Sequence, residues 1–286
     1  MNYRIFTDAA CDIPKATLAE WGVSMIDMTY RFTDEDFERY NSECDVPKFY
    51  DQMRAGRCSR TSAINMATFL DAFRPTLKEG TDVLYVAFSG GGSTTYEQSL
   101  AAVEQLKTEF PERKIMSVDS LAFSGGFGLM VYLAAQKQKA GATIEEVFRY
   151  VEDTRLHVCH WFTVDDLVYL KRGGRVSAAT ALVGTMLGIK PVLHVDNEGH
   201  LVNVDKARSR RRSLKAMADR LAATQLDPNG PVFICHGDCE EDASLLREMV
   251  EQITGKKIDL FGYIGPVIGS HSGPGTVALF FLVSER

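Results

Sequence analysis

Long apolar segments are absent from this 286-residue sequence. The longest candidate, Val277–Val283, has seven residues, whereas a helix that spans a bilayer needs about 20. The amino-terminal stretch Met1–Phe6 shows no apolar core and no cleavage pattern of a secretion signal. We therefore expect a cytoplasmic protein with no transmembrane segment, and we interpret Val277–Val283 as a buried strand.

An excess of positive charge is also absent. The chain has 32 lysine and arginine residues against 38 aspartate and glutamate residues, a formal net charge of -6. Nucleic-acid-binding surfaces are normally basic, so no nucleic acid partner is expected. The one basic run, Arg208–Arg212, opens a helical pattern. It is interpreted as a solvated face, with a docking surface for an acidic partner as the alternative.

The cysteines lack the spacing of a zinc site. Two segments combine cysteine and histidine, His157–His160 and Cys235–Cys239, but neither contains two paired motifs. Neighbouring residues on a strand also point to opposite faces, which separates possible ligands. We expect free thiols in a reducing cytosol and no metal site.

Two common catalytic motifs are missing as well. The sequence contains neither a P-loop, G-x-x-x-x-G-K-[ST], nor the nucleophile elbow G-x-S-x-G. Ser93, which follows three glycines, is therefore interpreted as a hydrogen-bond donor to a ligand rather than as an acylated nucleophile. We expect no catalytic residue in this chain.

What the sequence does contain is an alternation of strand and helix patterns. The apolar runs Tyr3–Thr7, Val83–Phe88 and Ile115–Val118 are each followed by a helical pattern, which is typical of a parallel sheet covered on both faces. Later, Pro191–Val195 and His200–Val204 flank a turn and predict an antiparallel hairpin. The sequence therefore predicts an α/β protein of two domains. These are a Rossmann-like α/β/α domain over residues 1–160 and an α+β domain over residues 161–286, with the boundary near 158–163.

Small polar residues follow several predicted strands. They are Thr7–Asp8, Ser89–Thr95 and Asp119–Ser120, and Thr61–Ser62 precedes a further predicted helix. Ligands bind at the carboxyl ends of parallel strands, although serine, threonine and aspartate are also common helix N-caps. At Ser93 and Thr94, the glycines let a ligand approach the backbone, and a helix start favours an anion.

The segment Gly265–Gly275 is the most unusual part of the chain. Its two prolines and four glycines predict an irregular loop between two strands. His271 lies there between the hydroxyls of Ser270 and Ser272. Since loops on rigid scaffolds often carry binding residues, we favour a ligand site over a purely structural loop.

The segment Leu170–Arg175 ends a short helical pattern with two glycines. Glycines and basic residues are typical of a helix carboxyl end, which is the structural interpretation. The functional alternative is a cationic rim for a phosphate group, in which Arg175 makes a bidentate contact.

These segments together resemble the DegV family, the fatty-acid-binding subunits of bacterial fatty acid kinase. The resemblance runs over nearly the whole chain. Seven segments of this chain are similar to motifs of that family. They are Thr7–Pro14 (family T-D-S-x-x-D-L-P), Thr61–Ser62 (T-S-Q-P), Ser89–Tyr96 (S-S-G-L-S-G-T-Y), Val118–Ser120 (V-D-S), Leu170–Arg175 (L-K-K-G-G-R), Leu187–Pro191 (L-x-I-K-P) and Ile264–Gly275 (I-G-P-V-I-G-x-H-x-G-P-G).

The resemblance implies a fatty acid whose carboxylate is held between the two domains by Thr61, Ser93 and His271. The neighbouring hydroxyls of Ser62, Thr94 and Ser272 complete the expected ligand-binding set. The acyl tail would lie in an apolar tunnel. A separate kinase subunit would bring ATP and magnesium and form the acyl-phosphate, with Arg175 implicated in that step. This chain would hold no cofactor and would serve phospholipid metabolism by presenting the substrate.

The sequence departs from the family at the expected pocket wall. Ala63–Ile64 replace Q-P, and Gly90, Gly92 and Thr94 replace S, L and G. Ligand size and shape are therefore open. Two other functions also remain open at this point: a hydrolase with Ser93 as nucleophile and His271 as base, and a binding protein for another small anion.

Overall fold

A computed structural model describes residues 3–176 and 188–286. Its strands are β1 (Tyr3–Asp8), β2 (Val23–Ile26), β3 (Thr29–Phe32), β4 (Arg39–Tyr40), β5 (Ser59–Ser62), β6 (Asp82–Ala87), β7 (Ile115–Asp119), β8 (Val158–Thr163), β9 (Lys190–Val195), β10 (Leu201–Ala207), β11 (Phe233–His236), β12 (Leu260–Tyr263) and β13 (Val277–Leu282). Its longer helices are Lys15–Trp21, Val46–Arg54, Met66–Lys78, Thr95–Glu109, Ser124–Lys139, Ile144–Thr154, Val168–Arg172, Arg210–Thr224, Glu240–Thr254 and Pro266–Ser272. Leu187, the first residue of one family motif, lies outside the described ranges.

The first sheet is parallel and has the order β2-β1-β6-β7. Five of the six residues of β6 are fully buried, because helices cover the sheet. One of these helices, Ile144–Thr154, begins with a reciprocal capping box between Thr143 and Glu146. The predicted α/β arrangement of the first half is confirmed.

The second sheet is mixed and has the order β10-β9-β8-β13-β11-β12. Strand β8 spans the expected domain boundary and belongs whole to this sheet. Alternate residues of β13 face different cores: Ala278 and Phe280 pack toward the first sheet, while Leu279 and Phe281 pack beneath Arg210–Thr224 and Glu240–Thr254. Both faces are therefore covered, and this explains why β13 reads as a continuous apolar run. The predicted antiparallel pair β9-β10 is also present.

A third, small sheet was not predicted. It has the order β4-β3-β5, and Tyr30 on β3 pairs with Thr61 on β5. The polar sequence of β5 has no alternation that would reveal a strand. A separate aromatic core lies beside this sheet and consists of Tyr30, Phe32, Phe49, Tyr50 and Met53. This sheet holds Thr61 in position.

Candidate functional site

A cavity of about 510 Å³ lies between the first and second sheets. Most of its wall is apolar and includes Phe88, Phe123, Phe162, Leu201, Ile268 and Phe280. All of the site residues expected from the sequence line the same cavity: Thr61, Ser62, Ser93, Thr94, Arg175, His271 and Ser272. Residues from both halves of the chain therefore build one pocket with hydroxyls, an imidazole and a guanidinium among apolar walls. Pockets of this volume commonly bind small molecules.

Thr61 and His271 meet directly across the two halves. The Oγ1 atom of Thr61 and the Nε2 atom of His271 are 2.9 Å apart and share a hydrogen bond. Burial, and secondarily the charge of Arg175, lowers the pKa of His271 to about 4. The imidazole is therefore neutral at neutral pH, and Nε2 can donate when it carries the proton. The other nitrogen, Nδ1, is buried and has no hydrogen-bond partner among the described residues.

His271 lies on a short helix, Pro266–Ser272, which we call the histidine helix. The expected irregular loop was wrong here, because Pro266 is the first helical residue and proline is favourable at that position. Glycine and proline normally disfavour a helix, so the sequence did not predict this one. Here Pro266 lies at the first helical position and Gly273 follows the last one, where both residues are compatible with a helix.

Side chains from the first half of the chain fix the start of the histidine helix. The Gly265 amide donates to Oδ1 of Asp12 at 2.8 Å, and the Val267 amide donates to Oδ1 of Asn41 at 3.0 Å. The hydroxyl of Tyr50 donates to the Ile264 carbonyl at 2.9 Å. These bonds satisfy the open groups at the helix entrance. Sequence reasoning missed all three residues; only Asp12 had a signal, since it belongs to the opening family motif.

Ser93 lies two residues before the helix Thr95–Glu109. Its Oγ accepts a hydrogen bond from the Thr95 amide at 3.2 Å and lies 2.9 Å from Oγ1 of Thr95. The preceding loop is fixed by Asp119, whose Oδ2 accepts from the Gly90 amide at 3.1 Å. Ser93 is thus held at the cavity wall by the start of the helix.

Gly92 allows two aromatic side chains to occupy the cavity wall. A Cβ atom at position 92 would lie 2.6 Å from Cε1 of Phe123 and 2.9 Å from Cε1 of Phe88. These two rings pack edge to face with centroids 4.8 Å apart. The departure from the family leucine at this position is therefore matched by aromatic residues that fill the space.

Other polar residues at strand ends are structural. Asp8 is fully buried and accepts hydrogen bonds from the Tyr85 hydroxyl at 2.5 Å, from the Ala10 amide at 3.0 Å and from the Phe88 amide at 3.3 Å. It does not line the cavity, and neither does Asp119. At these two strand ends the structural alternative holds, since Asp8 and Asp119 accept hydrogen bonds from the amides of the loops that follow β6 and β7.

Arg175 contacts backbone rather than acidic groups. Its Nε donates to the Gly92 carbonyl at 3.2 Å, and its Nη1 donates to the Gly173 carbonyl. Burial lowers the pKa of this guanidinium. Within the described part of the chain, Arg175 forms no ion pair. Its charge is therefore available to an anion in the cavity.

The basic run is not a uniformly solvated face. Arg210 is largely buried, donates to Asp242 at 2.7 Å and also bonds the Gly275 carbonyl. Arg211 and Arg212 are exposed, as expected for a helix surface. Arg210 therefore ties two helices and the glycine-rich turn together, which corrects the sequence interpretation for that residue.

The cysteine and histidine segments do not form a metal cluster within residues 3–176 and 188–286. His160 instead accepts from the Phe123 amide through Nε2 at 3.1 Å, and its Nδ1 lies 3.1 Å from the Val158 carbonyl. The described group that could offer three ligand atoms is Asp196, Glu198 and His200, in the mostly exposed β9-β10 turn.

The geometry differs from that of a serine hydrolase. The Ser93 hydroxyl bonds Thr95, whereas His271 bonds Thr61. Asp119, an acid that could serve as the third group of a triad, accepts instead from the amides of Gly90 and Leu121. In the described residues these side chains therefore form separate hydrogen-bonded pairs rather than a nucleophile, a base and an orienting acid in series.

Comparison with known proteins gives one consistent result. The sequence matches the DegV family, described as uncharacterised proteins, over residues 2–284. A DegV domain-containing protein of Clostridium perfringens is 41% identical over 283 residues, which cover 98% of this chain and 97% of that protein.

Solved structures of the same family resemble the fold of this chain over nearly its whole length. A DegV family protein from Thermus thermophilus, described with fatty acid binding, is 28% identical with a TM-score of 0.86, covering 99% of this chain and 100% of that one. DegV from Bacillus subtilis, described as a fatty acid binding protein, is 26% identical with a TM-score of 0.83 and the same coverage. Among the helices described for the present chain, none is long and apolar enough to cross a membrane. The match over nearly every residue, in sequence and in fold, means that the chain belongs to the DegV family.

Proposed function

We propose that this chain is a cytoplasmic protein that binds a long-chain fatty acid and presents it to a separate ATP-dependent kinase subunit for acyl-phosphate formation. The observation that carries the proposal is a single cavity whose wall is mainly apolar and which also collects Thr61, Ser93, His271 and Arg175. Structural relatives that are described as fatty-acid-binding proteins support the same ligand class.

In this proposal Thr61, Ser93 and His271 hold the carboxylate. Neutral His271 donates from Nε2, and the two hydroxyls donate from strand β5 and from the loop before the helix Thr95–Glu109. A buried carboxylate needs such donors, because removal from water without hydrogen bonds or charge is strongly unfavourable. Each hydrogen bond to the charged group contributes roughly 1.5–3 kcal/mol. The neighbouring hydroxyls of Ser62, Thr94 and Ser272 line the same cavity, and Ser272 Oγ is buried without a described partner.

The apolar wall holds the acyl tail. Burial contributes about 0.8 kcal/mol per methylene, or ~12 kcal/mol for a tail of about 15 methylenes before the cost of association. The tail therefore sets most of the affinity, while the head-group contacts set orientation.

The kinase step is assigned to a partner. The chain contains no P-loop, so ATP and magnesium are placed on the partner subunit, and this chain carries no cofactor in the proposal. Arg175 supports this division of roles, because its guanidinium lines the cavity and lacks a described acidic partner.

The proposal is tested by mass spectrometry of ligands extracted from the full chain after purification from a heterologous host. A long-chain fatty acid at near one molecule per chain is expected. The matched sample is a Phe280→Trp variant. The larger side chain should reduce the volume of the cavity, so this variant should carry less of the same lipid. Recovery of a polar anion with no lipid would contradict the proposal.

A further inference from the structure

Ser272 is a buried serine of the cavity wall whose hydroxyl has no partner in the described part of the chain. The residue is 5% exposed, and its Oγ makes no hydrogen bond with any described residue. The other serine of the histidine helix differs, because Ser270 Oγ donates to the Pro266 carbonyl at 2.7 Å and accepts from Ser59 Oγ at 2.8 Å. Burial of an unpaired hydroxyl is unfavourable, since the hydrogen bonds made with water are lost. Ser272 therefore has an unused hydrogen-bonding capacity that Ser270 lacks.

The helical period directs Ser272 toward the cavity. The residues of the histidine helix that line the cavity lie at positions i, i+1, i+4 and i+5, and they are Val267, Ile268, His271 and Ser272. Residues with this spacing share one face of a helix. The opposite face is turned away from the cavity, and there Gly269 packs against the hydroxyl of Tyr50. Ser272 thus lies on the same helix face as His271, whose imidazole is the head-group contact of the proposed function.

Thr276 supplies an acceptor beside Ser272. It lines the same cavity and is buried, and its Oγ1 donates toward the carbonyls of Ser272 at 3.0 Å and Gly273 at 2.9 Å. With its one proton engaged in this way, Oγ1 offers a ligand only lone pairs, whereas Ser272 Oγ can both donate and accept. The two hydroxyls together suit a ligand group that accepts one hydrogen bond and donates another, which is a hydroxyl. A carboxylate only accepts, so it would leave the Thr276 lone pairs without a donor.

The direction of β13 places these two hydroxyls between the head group and the tail. Alternate residues that lead into and along this strand line the cavity, and they are Thr276, Ala278 and Phe280. A strand advances about 6.6–6.8 Å for every two residues, so the Cα atoms of Thr276 and Phe280 are roughly 13 Å apart. Phe280 belongs to the apolar wall, while Ser272 directly follows His271 in the chain. Ser272 and Thr276 therefore lie next to the first carbons of an acyl chain rather than next to its end.

We propose that Ser272 and Thr276 form a hydroxyl-binding subsite that selects acyl ligands with a hydroxyl group on C2 or C3. The inference rests on the proposed function, since it requires the ligand carboxylate to lie at Thr61 and His271. Ser272 donates to the ligand oxygen, and the ligand hydroxyl donates to Oγ1 of Thr276. An unsubstituted chain leaves Ser272 unpaired or requires a water molecule in its place, and a site built for a hydroxyl discriminates against an analogue that lacks it. The subsite binds only, and no covalent bond forms or breaks there.

The test compares four ligands on the delipidated full chain: palmitic acid and its 2-hydroxy, 3-hydroxy and 16-hydroxy derivatives. The 16-hydroxy acid carries the same group at the far end of the chain and controls for polarity alone. Affinities are measured by displacement of a fluorescent fatty acid, and melting temperatures confirm that each variant is folded. The variants are Ser272→Ala and Thr276→Val. Ser270→Ala is the matched control, because it removes a hydroxyl from the same helix that does not line the cavity.

The parent should bind the 2-hydroxy or the 3-hydroxy acid about tenfold more tightly than palmitic acid and the 16-hydroxy acid. This preference should be lost in Ser272→Ala, reduced in Thr276→Val and within about twofold of the parent value in Ser270→Ala. Ser272→Ala decides the outcome by itself if Thr276→Val does not fold.

A parent that binds all four acids equally would overturn the subsite and leave the proposed function standing. An undiminished preference in Ser272→Ala, or an equal gain for the 16-hydroxy acid, would also overturn the subsite. If neither the fluorescent fatty acid nor any of the four acids binds, the proposed function is wrong and the subsite fails with it.

Discussion

His271 lies directly against the backbone of Gly173: a Cβ atom at position 173 would be 2.2 Å from Nδ1 of the imidazole. Gly173 has φ of -73°, a conformation open to any residue, so the glycine is required by this close approach and not by backbone geometry. The two glycines that end the helix Val168–Arg172 therefore differ. Gly174 has φ of +69° and no atom near its would-be Cβ.

Gly173→Ala should displace His271 and weaken fatty acid binding by about tenfold, the equivalent of ~1.4 kcal/mol. The matched control is Gly174→Ala, which should cost about 1–2 kcal/mol of stability through its backbone but leave the imidazole in place. Titration with a fluorescent fatty acid and urea unfolding separate the two effects. Equal affinity in both variants would contradict a positioning role for Gly173.

Ser93→Ala should impair acyl-phosphate formation more than fatty acid binding. The tail supplies most of the affinity, whereas the hydroxyl orients the head group for transfer. The measurements are lipid affinity and the rate of acyl-phosphate formation with the partner kinase, with Thr108→Ala, at an exposed position of the following helix, as control. Equal loss of both activities with the fold intact would count against the assignment.

Arg175→Ala should retain the fatty acid and lose phosphorylation by the partner kinase. Arg175→Lys should recover little, because one ammonium cannot reproduce the contacts that Nε and Nη1 make with Gly92 and Gly173. Lipid content by mass spectrometry and kinase-dependent phosphate transfer are the two readouts. A normal phosphorylation rate in Arg175→Ala would exclude this role.

Gly92→Ala should destabilise the protein by about 1–3 kcal/mol, because the added carbon overlaps Phe123 and Phe88. In a Phe123→Ala background the same change should cost less, since the overlapping ring is gone. A double-mutant cycle of urea unfolding measures this coupling. Gly262→Ala, at a position with no atom near the added carbon, is the control. Strictly additive costs would show that the aromatic wall does not depend on Gly92.

His271 should make the protein less stable in acid. Its folded-state pKa is about 4 and the unfolded value is about 6.5, so between these values the unfolded chain binds a proton that the folded chain does not. The stability that the protein has with a neutral His271 is fully present above pH 6.5. As the pH falls from 6.5 toward 4, the free energy of unfolding decreases by up to ~1.4 kcal/mol per pH unit.

His271→Gln removes this titration, so its free energy of unfolding should depend less steeply on pH over that window than that of the parent. Urea unfolding at several pH values measures both slopes. The other histidines whose pKa is lowered by burial, including the buried His160 and the half-buried His194, remain in both proteins, so their effects cancel in the comparison. If the free energy of unfolding depended equally on pH in the parent and in His271→Gln, a buried neutral His271 would be contradicted.

The sequence predicted the main sheets and the residues that meet in the cavity, because apolar periodicity and motif order carry that information. The apolar periodicity does not show whether a polar residue after a strand lines the cavity or only holds the backbone in place. Asp8 and Ser93 both follow apolar strands, yet Asp8 is enclosed by Tyr85 and Ala10, while Ser93 lines the cavity. The difference lies in long-range neighbours that no local pattern records.

Two further features were hidden for the same reason. Strand β5 forms because β3 offers it a partner, although its own residues are polar. The histidine helix forms in a stretch rich in glycine and proline because Asp12 and Asn41 satisfy its first amides. In both places tertiary contacts override local propensity, and both carry residues of the site.

The position of β13 has a consequence for the order of events during synthesis. Strand β13 follows every other strand of its sheet in the chain, yet it lies between β8 and β11. Until the ribosome has released residues 277–282, the strands β8-β9-β10 and β11-β12 have no strand to join them into one sheet. Thr61 and His271 are 210 positions apart, so their pairing also waits for late residues. A nascent chain therefore has no complete pocket, and a ligand that selects the pocket stabilises only molecules whose folding has finished.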